Sequence, residues 1–211
     1  MVSCFQEGIE IVQGPKQTQK KEGVINSVQA LETLGFTLIE AAFFSLGKPM
    51  LASAPSLAYR RKVYEAAGGL AALGDHVSGD DDMLVQRMRH FASGVAYNAD
   101  AEAQVVTIPV STWCSFFEQR ARWASNGTRY ESKSYVALLF LIYLFFVLLA
   151  LSPAVAWWAG SLVPLLLIVA KTIGDLIFLY IGGKRLRSLS LLKAYPITYF
   201  FQVIVVLWSP I

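Results

Sequence analysis

The sequence predicts a mixed α/β part followed by three transmembrane helices. Three observations carry this. Only 16% of the 211 residues are charged and 55% are hydrophobic, whereas an ordinary soluble domain is about 25% charged. The shortage is uneven, with no charged residue from Tyr135 to Ala170 or from Ala194 to Ile211, and both stretches are dense in Leu, Val, Ile, Phe and Trp. Upstream of them, short apolar runs closed by Gly or Pro alternate with segments of helical spacing. A bilayer core needs roughly 20 mostly apolar residues per helix, because every backbone polar group must be satisfied within the segment. The chain therefore divides near Ser134 into a water-facing part, residues 1–134, and a membrane part, residues 135–211.

In the first part, Ile9–Pro15 is an apolar run closed by Gly-Pro and reads as a strand. Val24–Gly47 has apolar residues at helical spacing, with Glu32 and Glu40 as its only charges. It predicts a long helix, either core or laid on the membrane. Met50–Gly69 predicts a strand, a turn, then a short helix from about Arg61 that Gly68-Gly69 stops. Helical spacing returns over Asp82–Phe91, and Ala96–Pro109 ends in a β-branched run, a strand. Ser111 or Thr112 then caps a helix that Asn126-Gly127 terminates. A complete α/β nucleotide-binding domain takes several βαβ units of about 30 residues each. Residues 1–134 are too few, and read as the second half of such a domain.

The first span is Tyr135–Leu151, broken by Ser152-Pro153. The second runs from about Ala154 to Ile181 and ends at Gly182-Gly183, and the third is Ala194–Ile211. Lys171 and Asp175 stand one helical turn apart and are expected to pair near the cytoplasmic end of the second span, reaching toward headgroups. Lys184–Lys193 carries four basic residues, while the Ser152-Pro153 connection carries none. Basic loops stay inside, which places residues 1–134 in the cytoplasm too. Asn126-Gly127-Thr128 is then a chance match to a glycosylation acceptor.

Residues 1–134 hold 13 Lys/Arg against 14 Asp/Glu, so nothing electrostatic suggests nucleic acid as a partner. Cys4 and Cys114 lack metal-type spacing and read as reduced, partly buried thiols. His76 and His90 have no ligand spacing and read as surface or satisfied histidines. Glu7 and Glu10 stand where a signal peptide would be apolar.

Two constellations carry chemistry. "SGDDDMLVQRM", Ser78–Met88, sets Asp80, Asp81 and Asp82 in a row. Such a triplet suits a solvated turn, a metal site or a catalytic base. Gln119, Arg122 and Trp123 stand at i, i+3 and i+4, so an amide, a guanidinium and a large ring project from one helix face. They suit an anionic, partly planar ligand, with Arg as a phosphate fork and Trp as a stacking surface. The alternative is a membrane-surface helix with Trp113, Phe116 and Phe117 in the headgroups.

Gly79-Asp80-Asp81, then Gln119, Arg122 and Trp123 as a QxxRW motif, then membrane spans, resembles the membrane-bound family 2 glycosyltransferases. These include ceramide glucosyltransferase-like, cellulose synthase-like and hyaluronan synthase-like enzymes. The resemblance implies the second half of a GT-A-type nucleotide-sugar transferase domain followed by three transmembrane helices. It implies inverting transfer of a sugar from a nucleotide-sugar to a lipid or polysaccharide acceptor at the cytoplasmic membrane face. Asp81 would be the base, with Asp80 and Asp82 raising its proton affinity. Arg122 would steady the leaving diphosphate, while Gln119 and Trp123 orient donor or acceptor. Leu57–Leu70 looks like the acceptor-side segment, through Tyr59, Arg60, Gly68 and Gly69. The complete enzyme would use Mg²⁺ or Mn²⁺ on an Asp-x-Asp that ends a buried strand. That motif is not found here, because Asp80-x-Asp82 follows the loop-like AALGDHVSG, and no residue is assigned to metal. Ala54-Pro55-Ser56 also departs from the Gly-Ala-Asn-type run common in the family. The expectation is a fragment that begins past the metal motif, with Met1 an internal methionine or a wrongly assigned start, inactive alone. The competing readings are a non-catalytic membrane scaffold or interaction subunit and, more weakly, a transporter built around Lys171 and Asp175.

Overall fold

Short strands and long helices divide the work of the fold. The computed structural model describes residues 1–74, 79–127 and 129–208. Among the described residues, five strands form two sheets: β1 (Ile11–Gln13), β2 (Lys16–Thr18), β3 (Leu57–Tyr59), β4 (Val95–Tyr97) and β5 (Val105–Thr107). β1 lies at the centre of the first sheet, antiparallel to β3 and parallel to β4. All three of its residues are buried, as befits a strand covered on both faces. β2 and β5 pair in parallel as the second sheet.

Gly14-Pro15 was read as the end of strand structure, but the chain turns there and enters β2. Gly14 donates its N–H to the Ser56 carbonyl at 2.8 Å, and a Cβ on it would sit 2.7 Å from Ser56 Oγ. β2 escaped the sequence reading because Lys-Gln-Thr has no apolar run. The strand expected before the Ala54–Ser56 turn lies after it, as β3, and leads directly into α2 (Arg61–Ala66).

α1 (Val24–Ser45) matches its predicted span closely. Its Phe44 joins Ile11, Ala52, Leu84, Val85 and Met88 in the core of the α/β part. Leu31 and Leu34 face the other way, against Leu179, Leu186 and Tyr195 of the membrane part. The helix is thus core on both sides, wedged between the sheets and the spans. Its apolar residues encircle it for that reason. α3 (Asp80–Met88) and α4 (Trp113–Ala124) complete the first part.

Three segments are long and apolar enough to cross a membrane: Lys133–Ala159, Val163–Arg185 and Leu189–Trp208. The first is α5, Lys133–Ala159, which runs straight through the expected break at Ser152-Pro153. Pro153 cannot donate to the Leu149 carbonyl, but Ser152 Oγ does so at 2.8 Å. Such side-chain repair lets a spanning helix keep a proline. The turn between the first two spans falls instead at Gly160, after Trp157 and Trp158, which are 90% and 88% exposed. α6 (Leu166–Arg185) continues past Gly182-Gly183. Those glycines serve close approach, since a Cβ on Gly182 would collide with Leu38 of α1. A 3-10 turn at Leu189–Ala194 leads into α7 (Tyr195–Trp208).

Lys171 also departs from expectation. It lies near the Leu166 end of α6, away from the basic loop, and its side chain is only 6% exposed. It pairs with Asp175, donates to Gln202 Oε1 at 3.0 Å, and lies 5.2 and 4.9 Å from the Phe146 and Tyr199 ring centres. Tyr195 donates its hydroxyl to Asp175 at 3.0 Å. The pair turns inward and ties α6 to α7 rather than reaching for headgroups, because an intramembrane charge is cheapest facing the bundle interior.

The basic loop abuts the α/β part. Arg187 pairs with Glu102, and Gln104 Nε2 donates to the Leu186 carbonyl at 3.1 Å. The loop and residues 1–134 therefore share one end of the helical bundle.

Candidate active site

The acidic triplet opens α3. Gly79 sits before it in the left-handed region, φ 82°, and Asp80, Asp81 and Asp82 fill the first helical turn. The positive end of the helix dipole lies there, worth about 0.3–1 kcal/mol for each nearby anion. Three adjacent carboxylates are tolerable at that place where mid-helix they would not be.

The three have different surroundings. Asp80 is exposed, and Asp81 is half-buried. Asp81 Oδ2 accepts from the Ala54 N–H at 3.1 Å, and its Oδ1 from the Asp82 N–H at 3.1 Å. Asp82 Oδ1 accepts from the Ala52 N–H at 2.7 Å, and its Oδ2 from the Tyr130 hydroxyl at 3.1 Å. Burial first, and the Asp81 charge second, push Asp82 up to about 8, against the pull of those two donors. Tyr130 is pushed up as well, chiefly by burial and then by Asp82. The sequence reading treated Asp82 as an anion acting on Asp81. In the fold, burial and the Asp81 charge favour the protonated form of Asp82.

Residues 52–54 explain the hold on the triplet. An extended chain alternates its sides, so the Ala52 and Ala54 N–H groups face α3 while Ser53 faces the core. The Ser53 N–H donates to Gln13 Oε1 at 3.3 Å and its Oγ to Glu40 Oε1 at 2.6 Å. Lys16 neutralises Glu40 at 2.8 Å, with only 1% of the Glu40 side chain exposed. Gln13, Lys16, Glu40 and Ser53 were not singled out from the sequence, although Glu40 carried a signal. A lone carboxylate in an apolar helix needs a buried cation.

Glu32, the other charge of α1, finds Arg120 of α4, which is 6% exposed. Arg120 also donates to Gln119 Oε1, and its guanidinium lies 3.9 Å from the Phe116 ring centre and 4.8 Å from that of Trp123. Trp123 is 40% exposed and meets Phe36 of α1 edge-on at 6.0 Å. Gln119 and Trp123 are thus held by a residue the motif reading passed over, while Arg122 is exposed on the same helix. Thr112 is the cap, its Oγ1 accepting from the Ser115 N–H at 3.2 Å.

The aromatic face of α4 packs on the third membrane-crossing segment. Trp113 stacks on Phe201 of α7 at 4.2 Å, Phe117 meets Trp208 at 5.5 Å, and Phe116 is buried. Just past α4, Asn126 is buried against Gly79, where a Cβ would come 2.5 Å from Asn126 Nδ2. The end of the QxxRW helix therefore touches the entrance to the acidic triplet. Gly79 and Asn126, 47 apart in sequence, are brought together here.

The sequence model of the family described as Glycosyl transferase family group 2 matches residues 2–208. The chain belongs to this family. A search of curated proteins found no match. Membership makes it a sugar-transfer domain, whose substrates are a nucleotide-sugar and an acceptor, and membrane association agrees with the three apolar helices.

In this family 2 domain the residues expected on the acceptor side make contacts within the chain as well. Tyr59 stacks on Tyr64 at 5.5 Å. Arg60 donates to the Ile9 and Phe5 carbonyls at 3.3 and 3.4 Å. Gly68 and Gly69 have φ of 81° and 58° and wrap the chain around Tyr64. The link from this stretch to the triplet runs through Ala52 and Ala54. Cys114 is exposed rather than partly buried, and donates to Glu118 at 3.4 Å. His90 is exposed, and His76 lies outside the described residues.

Among the described residues no three His, Cys, Asp or Glu side chains gather as metal ligands. Asp81 and Asp82 direct their oxygens at N–H and O–H donors of the chain itself, and no residue is assigned to a metal ion.

Proposed function

We propose that the chain supplies the base and acceptor side of an inverting glycosyltransferase acting on a lipid or polysaccharide at the cytoplasmic membrane face. The observation that carries this is the setting of Asp81, a carboxylate fixed by two backbone N–H groups beside the end of the QxxRW helix. Asp81 takes the proton of the acceptor hydroxyl as its oxygen attacks the anomeric carbon. The bond to the nucleoside diphosphate breaks on the opposite face, so an α-linked donor yields a β-linked product. Arg122 meets the charge growing on the diphosphate, and Trp123 and Gln119 orient the sugars. Burial favours the neutral form of Asp82, which weakens the repulsion it exerts on Asp81.

The test uses membranes of the producing cells, where any partner polypeptide is present, with the gene deleted and restored as native chain or Asp81→Asn. Labelled nucleotide-sugars are offered and the lipid and polymer fractions counted. The native chain restores transfer, and Asp81→Asn lowers it about 100-fold or more. Equal transfer by both, or none dependent on the native chain, overturns the proposal.

A further inference from the structure

A second site lies at the other end of α3. A cavity of about 670 Å³ opens between the α1–β3 connection, the last turn of α3 and the start of α5, with Lys48, Gln86, Arg89, His90, Glu131 and Ser132 in its wall. Asp81 and Arg89 are separated by about 12 Å of helix, so the cavity is distinct from the acidic triplet.

Its chemistry is cationic. Among the described residues no carboxylate pairs with Lys48 or Arg89. Arg89 is set in place by donating from Nε to the Gly47 carbonyl at 2.8 Å. The one acid in the wall, Glu131, is neutralised by Arg87 at 2.7 Å. Gln86 is 6% exposed and donates to the Met50 carbonyl at 2.8 Å, while its Oε1 has no partner. Height decides the source. Ser132 caps α5, its Oγ accepting from the Tyr135 N–H at 3.3 Å, and α5 is the first of the membrane-crossing segments. The cavity therefore stands where headgroups meet the protein.

We propose that this cavity binds the phosphodiester headgroup of an anionic membrane lipid, tying the C-terminal end of α3 to the bilayer. Lys48 and Arg89 take the phosphate. The inference stands on α5 as a membrane span and is independent of the role given to Asp81.

The full chain in nonionic detergent is titrated with phosphatidylglycerol, phosphatidylcholine, phosphatidic acid and inorganic phosphate, and bound lipid is counted by native mass spectrometry. Phosphatidylglycerol binds at least about tenfold tighter than phosphatidylcholine, whose choline ammonium Lys48 and Arg89 repel. Lys48→Gln, at an exposed position, weakens it about tenfold, and Arg89→Gln does so further. Equal retention of phosphatidylcholine, or unchanged binding in Lys48→Gln, overturns the proposal. Inorganic phosphate that displaces the lipid at equal concentration makes this a free-phosphate site and overturns the lipid assignment.

Discussion

At the scale of single residues, Asp82 links the site to pH. Its carboxyl is near 3.8 when unfolded and about 8 in the fold, raised by burial and by Asp81. Between those values the folded chain holds a proton that the unfolded chain has released, so folding stability falls as pH rises. The contribution is full below about pH 4 and lost as pH passes 8. The melting temperature in detergent should therefore decline from pH 5 to 8.5, and Asp82→Asn should flatten that decline. A slope that survives in Asp82→Asn would assign it to another group. Glu40 makes a different prediction. Glu40→Gln strips the counter-charge from Lys16, whose side chain is 14% exposed, and breaking such a pair costs about 3–5 kcal/mol. Ser53→Ala loses a single buried hydrogen bond, about 1 kcal/mol. Chemical denaturation of both variants gives that order if the network holds residues 52–54 as described. Gly79→Ala combines a φ of 82° with a collision against Asn126. It should lower sugar transfer more than it lowers the melting temperature, because it displaces the triplet.

At the scale of elements, α5 and α6 show what a pattern reading overlooks. Ser-Pro and Gly-Gly are breakers in water, where a freed carbonyl or an exposed backbone finds solvent. In a bundle they acquire other uses. Ser152 repairs the bond that Pro153 removes, and Gly182 admits Leu38. Ser152→Ala should cost about 1–3 kcal/mol, the price of an unsatisfied buried carbonyl. Gly182→Leu should cost more, since two helices must separate. Thermal unfolding of the two variants orders them, and the reverse order would mean that α1 and α6 yield easily. β2 and β5 were missed or blurred for a related reason. Strands of three residues are too short to express a period, and their pairing lies far away in sequence.

At the scale of the whole molecule, the basic loop and the α/β part share one end of the bundle, and Trp157–Trp158 mark the other. The cytoplasmic placement proposed for residues 1–134 follows if the basic loop is inside. In a variant with Cys4 and Cys114 replaced by serine, an impermeant thiol reagent should label Trp158→Cys in intact cells and leave Ser188→Cys unlabelled until the cells are opened. The opposite pattern would invert the topology.

The sequence by itself determined the three apolar spans, the long helix of residues 24–45 and the motifs from which the family was expected. Each of these rests on local spacing or on composition, which needs no partner to be read. Only the tertiary structure decided which acid has its proton affinity raised, that Ala52 and Ala54 grip the triplet, that Arg120 holds Gln119 and Trp123, and that Lys171 faces inward. Those outcomes depend on burial and on partners tens of residues away. A carboxylate has no private proton affinity: the fold sets it, by removing water from Asp82 and placing Asp81 beside it.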